Sequence, residues 1–259
     1  MNQKEKRIYL IKSLLSQHKE YENMQIPTDL QNQKRLLRAL LNIRMPEPIS
    51  NKFLTVQDEY LQEEIRKKGI TDIKTLSPAI DDIYLWQGDI TTLKCDAVVN
   101  AANSQMLGCF CPNHGCIDNA IHTYAGVQLR LKCYELMQKQ GYEEPVGNAK
   151  ITPAYNLPSR YIIHTVGPYI NGSLSQDDKN MLMLCYKNCL KLADENNLNS
   201  IAFCCISTGE FHFPNDEAAK IAINTVEEYK QKTGSKIKVI FNVFKETDLH
   251  IYRNLLRQY

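Results

Sequence analysis

Asp96-Ala97-Val98-Val99-Asn100-Ala101-Ala102-Asn103 is the stretch that decides the fold. Ala97, Val98 and Val99 read as a short, apolar, β-branched strand with no polar alternation, which suits a strand buried on both faces. The loop follows directly. Its alanines allow close backbone approach, and Asn100 and Asn103 are expected to leave their carboxamides facing a cleft. Each amide offers a donor and an acceptor, which suits hydroxyl groups. The plainer alternative is that these asparagines only make a turn.

Outward from this stretch the same grammar recurs. Segments 83–86, 149–153, 161–166, 200–206 and 238–244 are short and rich in β-branched or aromatic residues, as strands are. Helical periodicity occupies 117–137, 177–196, 216–232 and 249–257. Strands alternating with helices imply a largely parallel sheet with helices on both faces. Ligands of such sheets bind beyond the carboxyl ends of the strands. No internal repeat or low-complexity segment interrupts the pattern.

The first ~75 residues differ. Helix-like pieces span 8–18, 30–43 and 56–68. In the second, Leu36, Leu37, Leu40 and Leu41 line one face and basic residues the other. Met45-Pro46-Glu47-Pro48 ends it. A helical cap packed on the core is expected over residues 1–75, the alternative being a separate partner-binding module.

The 259 residues are 43% apolar and 23% charged, ordinary globular values, and the formal net charge is +2. That balance gives no basic footprint for nucleic acid. No apolar run reaches the roughly 18 residues of a membrane span, and the N-terminus lacks the pattern of a secretory signal. The nine cysteines form no framework. Cys185, Cys189, Cys204 and Cys205 lie inside apolar runs and read as buried free thiols, so a reducing, cytosolic compartment is expected.

Three loops after strands carry the chemistry. Gly88-Asp89-Ile90-Thr91 offers a carboxylate that either caps a turn or accepts from an exocyclic amine. Asn100-Ala101-Ala102-Asn103 is the second. The third, Ser207-Thr208-Gly209-Glu210-Phe211-His212-Phe213-Pro214, supplies short donors, a glycine and consecutive backbone amides before a helix, a nest for a phosphate or diphosphate. Neither a Walker loop nor a GxGxxG fingerprint is present. Between the second and third loops, LGCFCPNHGCIDNAIH (107–122) packs Cys109, Cys111, His114 and Cys116 together. Thiolates and an imidazole this close suit zinc. A closed site would use Cys111 as fourth ligand, whereas an open one would leave a position for water or a hydroxyl.

GDIT, VVNAAN and ISTGEFHFP, in that order and each after a strand, resemble the macrodomain family, which binds ADP-ribose. The cysteine–histidine loop resembles the zinc-dependent subclass, protein-ADP-ribose hydrolases found in microbes beside a sirtuin that adds ADP-ribose. Those proteins also carry an N-terminal helical extension. The resemblance implies a three-layer α/β/α sandwich with a mixed central sheet over 76–259. It implies that Asp89 and the Ile90 backbone bind the adenine end, and that Asn103 contacts the distal ribose. Ser207, Thr208, Gly209, Glu210 and Phe211 would wrap the diphosphate and distal ribose. Cys109, His114 and Cys116 would hold Zn2+ and, with Asn103, form the catalytic set. His212 stands where many macrodomains without zinc have glycine.

The expected activity is zinc-dependent hydrolysis of mono-ADP-ribose from modified protein side chains at C1″ of the distal ribose. Rival readings are a non-catalytic ADP-ribose reader and an O-acetyl-ADP-ribose deacetylase. An open zinc site is expected, because a purely structural clamp has little need to lie between Asn103 and the helix near Ile117. His122 and His212 are candidate acid–base groups. A monomer is expected, with ADP-ribose, a mono-ADP-ribosylated protein and a sirtuin-type ADP-ribosyltransferase as partners, and no nucleic acid or membrane.

Overall fold

The computed structural model describes residues 1–21 and 23–257. Helices α1 (Gln3–Leu15), α2 (Leu30–Ile43) and α3 (Asn51–Lys68) come first. Their starts are written in the sequence: the side chains of Asn2, Asp29 and Ser50 each accept from the backbone amide three residues on. Leu10, Ile11, Leu14, Leu37, Leu40, Leu41, Phe53, Tyr60 and Leu61 form a cluster of their own, which Val127 of the sandwich joins. The extension is thus packed on the core. Its polar contacts point the same way: Gln57 pairs with Gln128, and Asp58 accepts from both Gln128 and Asn156.

The sandwich follows. Its elements are β1 (Thr71–Asp72), β2 (Ile83–Gln87), β3 (Leu93–Lys94), β4 (Ala97–Ala102), α4 (Ile117–Ala125), α5 (Val127–Gln140), β5 (Ala149–Pro153), β6 (Tyr161–Val166), α6 (Gln176–Glu195), β7 (Ser200–Phe203), α7 (Asn215–Thr233), β8 (Lys238–Val243) and α8 (Glu246–Leu256). The six-stranded sheet has order β2-β8-β7-β4-β6-β5. Only β5 runs antiparallel to its neighbour. The sheet is mixed, as expected. Val98, Val99, Ile162, Ile163, Ile201, Val239 and Ile240 are all fully buried, which is why these strands show apolar runs and not alternation.

Three local expectations are corrected. Strand β4 continues through Asn100, whose side chain is fully buried and does not face a cleft. Strand β7 stops at Phe203; its register with β4 covers only Ile201 and Ala202, and the chain then turns out of the sheet toward Ser207. The helix expected over 117–137 is two helices, broken at Gly126 with φ +99°. The break is specified from outside. Gln57 of α3 accepts from the Val127 amide, capping α5, and a Cβ on Gly126 would lie 2.6 Å from the Gln57 amide nitrogen.

Candidate active site

Strands β2, β8, β7, β4 and β6 are parallel, so their carboxyl ends share one edge of the sheet. The loops picked from sequence therefore lie in a row: Gly88, Asp89 and Ile90 after β2, then 207–211 after β7, then Asn103 and the cysteine–histidine loop after β4. At about 4.8 Å per strand, the outer two stand about 14 Å apart.

At the β2 end, Asp89 caps the turn Ile90–Thr92 through the Thr91 amide (3.0 Å) and hydroxyl (2.6 Å). Its other oxygen pairs with Lys68 of α3 at 2.9 Å. Burial raises its pKa, but Thr91 and Lys68 outweigh that and hold the carboxyl below its ordinary value. The Ile90 amide has no hydrogen-bond partner among the described residues.

In the β7 loop, Ser207 and His212 both take left-handed backbone angles, φ +64° and +57°. The loop closes through Phe213 N to Ser207 O (3.0 Å) and His212 N to Gly209 O (3.1 Å). Gly167 makes room for it, since a Cβ there would lie 2.0 Å from Ser207 Oγ. The amides of Gly209, Glu210 and Phe211 have no partner among the described residues and stand ahead of the α7 N-terminus, a setting suited to an anion. Thr208 turns its hydroxyl back onto Cys205 O. Phe211 and His212 pack against Tyr169 of the β6 loop, with ring centroids 5.7 and 5.8 Å from it.

After β4, Asn103 is half-buried at the foot of the cysteine–histidine loop. Its oxygen accepts from the Gln105 and Met106 amides, and its nitrogen donates to Gly108 O at 3.2 Å. Turn-making is thus realised in full, and one amide hydrogen remains for a ligand. Donor atoms of Cys109, His114 and Cys116 all lie within 4.8 Å of one another, with Cys109 Sγ 3.5 Å from His114 Nδ1. Sulfur and nitrogen bound tetrahedrally to zinc at ~2.3 and ~2.0 Å stand about 3.5 Å apart, so the donor set fits the ion. Cys111 is exposed and stands outside the group. Burial pushes the Cys116 thiol up to about 12 against the Asn119 amide, with Cys109 adding to the rise. A divalent cation among these sulfurs reverses that logic. His114 Nε2 lies 3.4 Å from Glu210, joining this loop to the β7 loop.

A family model for the Macro domain matches residues 99–222. A protein-ADP-ribose hydrolase of Treponema medium is 55% identical over 99% of this chain and 100% of its own length.

The chain belongs to the macrodomain family.

A protein-ADP-ribose hydrolase of Staphylococcus aureus (strain MSSA476) is 51% identical over 95% of this macrodomain chain and 92% of its own. A probable bifunctional ADP-ribose hydrolase/ADP-ribosyltransferase of Fusarium oxysporum f. sp. cubense is 41% identical over 85% of this chain and 40% of its own. Among solved structures, the Oceanobacillus iheyensis macrodomain with ADP superposes with a TM-score of 0.63 at 36% identity, covering 71% of this chain and 95% of that one. The Trypanosoma brucei macrodomain in complex with ADP-ribose gives 0.65 at 28% identity, covering 85% and 94%.

Two histidines separate clearly in this macrodomain. His212 is exposed in the β7 loop, whereas His122 is buried and held neutral, its pKa driven well below 6.5 by burial and Arg130. His122 is therefore removed from the cleft. With Cys133 and His164 it forms a second close group. Both nitrogens of His164 are engaged there, Nδ1 accepting from Asn100 (3.1 Å) and Nε2 donating to Thr152 (2.9 Å). Asn100 also donates to Asp118. This is a polar core beneath the site. The sequence reading missed Phe244, which stands 73% exposed at the carboxyl end of β8, where Val243 O accepts from the Gly88 amide. An aromatic residue ending an apolar strand gave no signal by itself.

Proposed function

We propose that this macrodomain removes mono-ADP-ribose from modified protein side chains, breaking the bond at C1″ of the distal ribose, and that it carries a zinc ion on Cys109, His114 and Cys116. One observation carries the reading: two thiols and an imidazole at ligand spacing lie beside Glu210 of the anion-binding loop. Full-length relatives named protein-ADP-ribose hydrolase support it.

Zinc held by Cys109, His114 and Cys116 would supply Lewis acidity toward a water or a sugar hydroxyl. The chain's own residues do the positioning. The amides of 209–211 hold the diphosphate, and Phe244 and Asp89 take the adenine between β2 and β8. Phe211 walls the ribose, and the free hydrogen of Asn103 reaches it. Holding the sugar in one geometry lowers the barrier in itself. The substrate comes from an ADP-ribosyltransferase, for which a sirtuin-type enzyme in the same cytosol is the proposed partner; the Fusarium relative's name joins both activities in one chain.

The test uses a mono-ADP-ribosylated protein and measures free ADP-ribose with and without a zinc chelator. Wild type releases ADP-ribose, while chelator treatment and C109A suppress release. Binding of ADP-ribose without release marks a reader, and action on O-acetyl-ADP-ribose alone marks a deacetylase. Full release by metal-free C109A rejects the zinc reading.

A further inference from the structure

The loop 107–116 is the least regular part of the site. Only His114 N to Cys111 O (3.3 Å) joins backbone to backbone within it among the described residues. Asn113 within it takes φ +56°. Such a segment does not hold three ligand side chains in place on its own, because ordering each residue costs conformational entropy. What holds it comes from outside the loop, from α2, some 70 residues earlier in the chain, and from Asn119 of α4, which α2 in turn grips.

Arg38 and Asn42 are one turn apart on α2 and so share a face. The Arg38 guanidinium donates to His114 O (2.9 Å) and forks onto Asn119 Oδ1 through Nη2 (2.8 Å) and Nε (3.2 Å). Asn119, fully buried in α4, passes the restraint on. Its side chain donates to Cys111 O (3.0 Å) and Cys109 O (3.4 Å), and its amide donates to Cys116 Sγ (3.4 Å). Every proposed ligand is thereby within two bonds of Arg38. Asn42 accepts from the Asn113 amide (2.9 Å) and donates to Thr123 (2.9 Å). From the other side, Arg130 ties Leu107 O to Leu41 O and Arg44 O at the end of α2.

We propose that α2 is a built-in splint for the metal loop, with Arg38 and Asn42 as positioning residues that hold Cys109, His114 and Cys116 at ligand spacing before an ion arrives. The inference rests on the zinc reading above. Its physical content is preorganisation: a loop already ordered loses no freedom on binding, and the partners that orient ligands typically set metal affinity within 10- to 100-fold. The fork matters as well as the charge. A lysine at 38 keeps the charge but cannot hold His114 O and Asn119 Oδ1 together in one plane.

The test uses the full chain as wild type, R38M, R38K and N42A, with R35M as a control on the exposed face of the same helix. Zinc affinity is read by competition with a chromophoric chelator, amide exchange over 107–116 is followed in the metal-free protein, and global stability is read by urea unfolding. R38M and N42A should weaken zinc binding 10- to 100-fold and speed exchange over 107–116, with R38K close to R38M and R35M like wild type. The urea midpoint of R38K should stay near wild type, which keeps the comparison valid if R38M folds poorly. Wild-type zinc affinity and loop protection in both R38M and R38K overturn the splint. Absence of zinc binding by wild type overturns instead the zinc reading, and the exchange comparison then still decides whether α2 holds the loop.

Discussion

The Oε1 atom of Glu210 lies 3.4 Å from Nε2 of His114, so the loop that ends β7 touches the loop that follows β4. His114 turns Nδ1 toward Cys109, leaving Nε2 as the nitrogen free to donate. A carboxylate on that second nitrogen fixes the tautomer a metal-binding imidazole needs. The contact also makes any ligand movement in one loop felt by the other. E210A should lower zinc affinity about 10-fold, the low end for such partners because the carboxylate is largely exposed. E210Q, which keeps an acceptor oxygen, should lose less. Chelator competition on both variants checks this, and equal, wild-type affinities would remove Glu210 from the metal's surroundings.

Cys111 is the fourth sulfur of the loop and the residue on which open or closed coordination turns. Its side chain is exposed, while its carbonyl is held by Asn119. Alanine keeps that carbonyl. C111A should therefore retain zinc at wild-type stoichiometry and release ADP-ribose at the wild-type rate. Zinc content by mass spectrometry of the native protein, alongside the release assay, decides it: a metal-free C111A means a closed site.

The eight-residue spread of Cys109, His114 and Cys116 made the donor set legible in the sequence, as did the turn residues after each strand. What organises them was not legible. Asn100 looked like a loop residue because asparagine favours turns, and its burial depends on Asp118 and His164, distant in sequence and adjacent only once the sheet forms. Gly126 sits inside the periodic stretch 117–137, and the residue that marks the break there, Gln57, is some 70 positions away. Arg38 looked like one more basic residue on an exposed face. Periodicity reports which face is buried, not which distant groups meet there.

Gly108 has φ +83°, and a Cβ on it would lie 2.7 Å from the buried His122 ring. G108A thus meets two penalties, a strained backbone and a clash with a buried ring. Destabilisation of about 2–4 kcal/mol is expected in urea unfolding. The double variant G108A/H122A should show non-additivity, recovering the steric part. Additive costs would mean that the two do not share one space.

Stability should fall with acid. Burial pushes His164 down to about 3 and His122 well below 6.5, so their contributions are present above the unfolded value near 6.5 and lost as pH falls below it. Asp118 works in the opposite sense. Burial raises it to about 6, so its contribution is present below the ordinary carboxyl value and lost as pH rises through 6. Two histidines against one carboxyl leave a net uptake of about one proton on unfolding, or roughly 2 kcal/mol lost between pH 7 and pH 5. Urea unfolding of metal-free protein at both pH values measures it. H164Q should flatten the slope, and an unchanged slope in that variant would assign the acid sensitivity elsewhere.

Phe244 stands at the end of β8, between the Asp89 turn and the β7 loop, with its ring in solvent. A large aromatic side chain left exposed beside a cleft is worth explaining, and a purine offers a flat partner for it. Stacking of a base on an aromatic ring contributes about 1–3 kcal/mol. F244A should therefore weaken ADP-ribose binding roughly 10-fold or more by calorimetry. Ribose 5-phosphate, which lacks the base, should bind both proteins alike. If F244A weakens the two ligands equally, the residue supports the loop and not the adenine; if it weakens neither, the base lies elsewhere on the sheet edge.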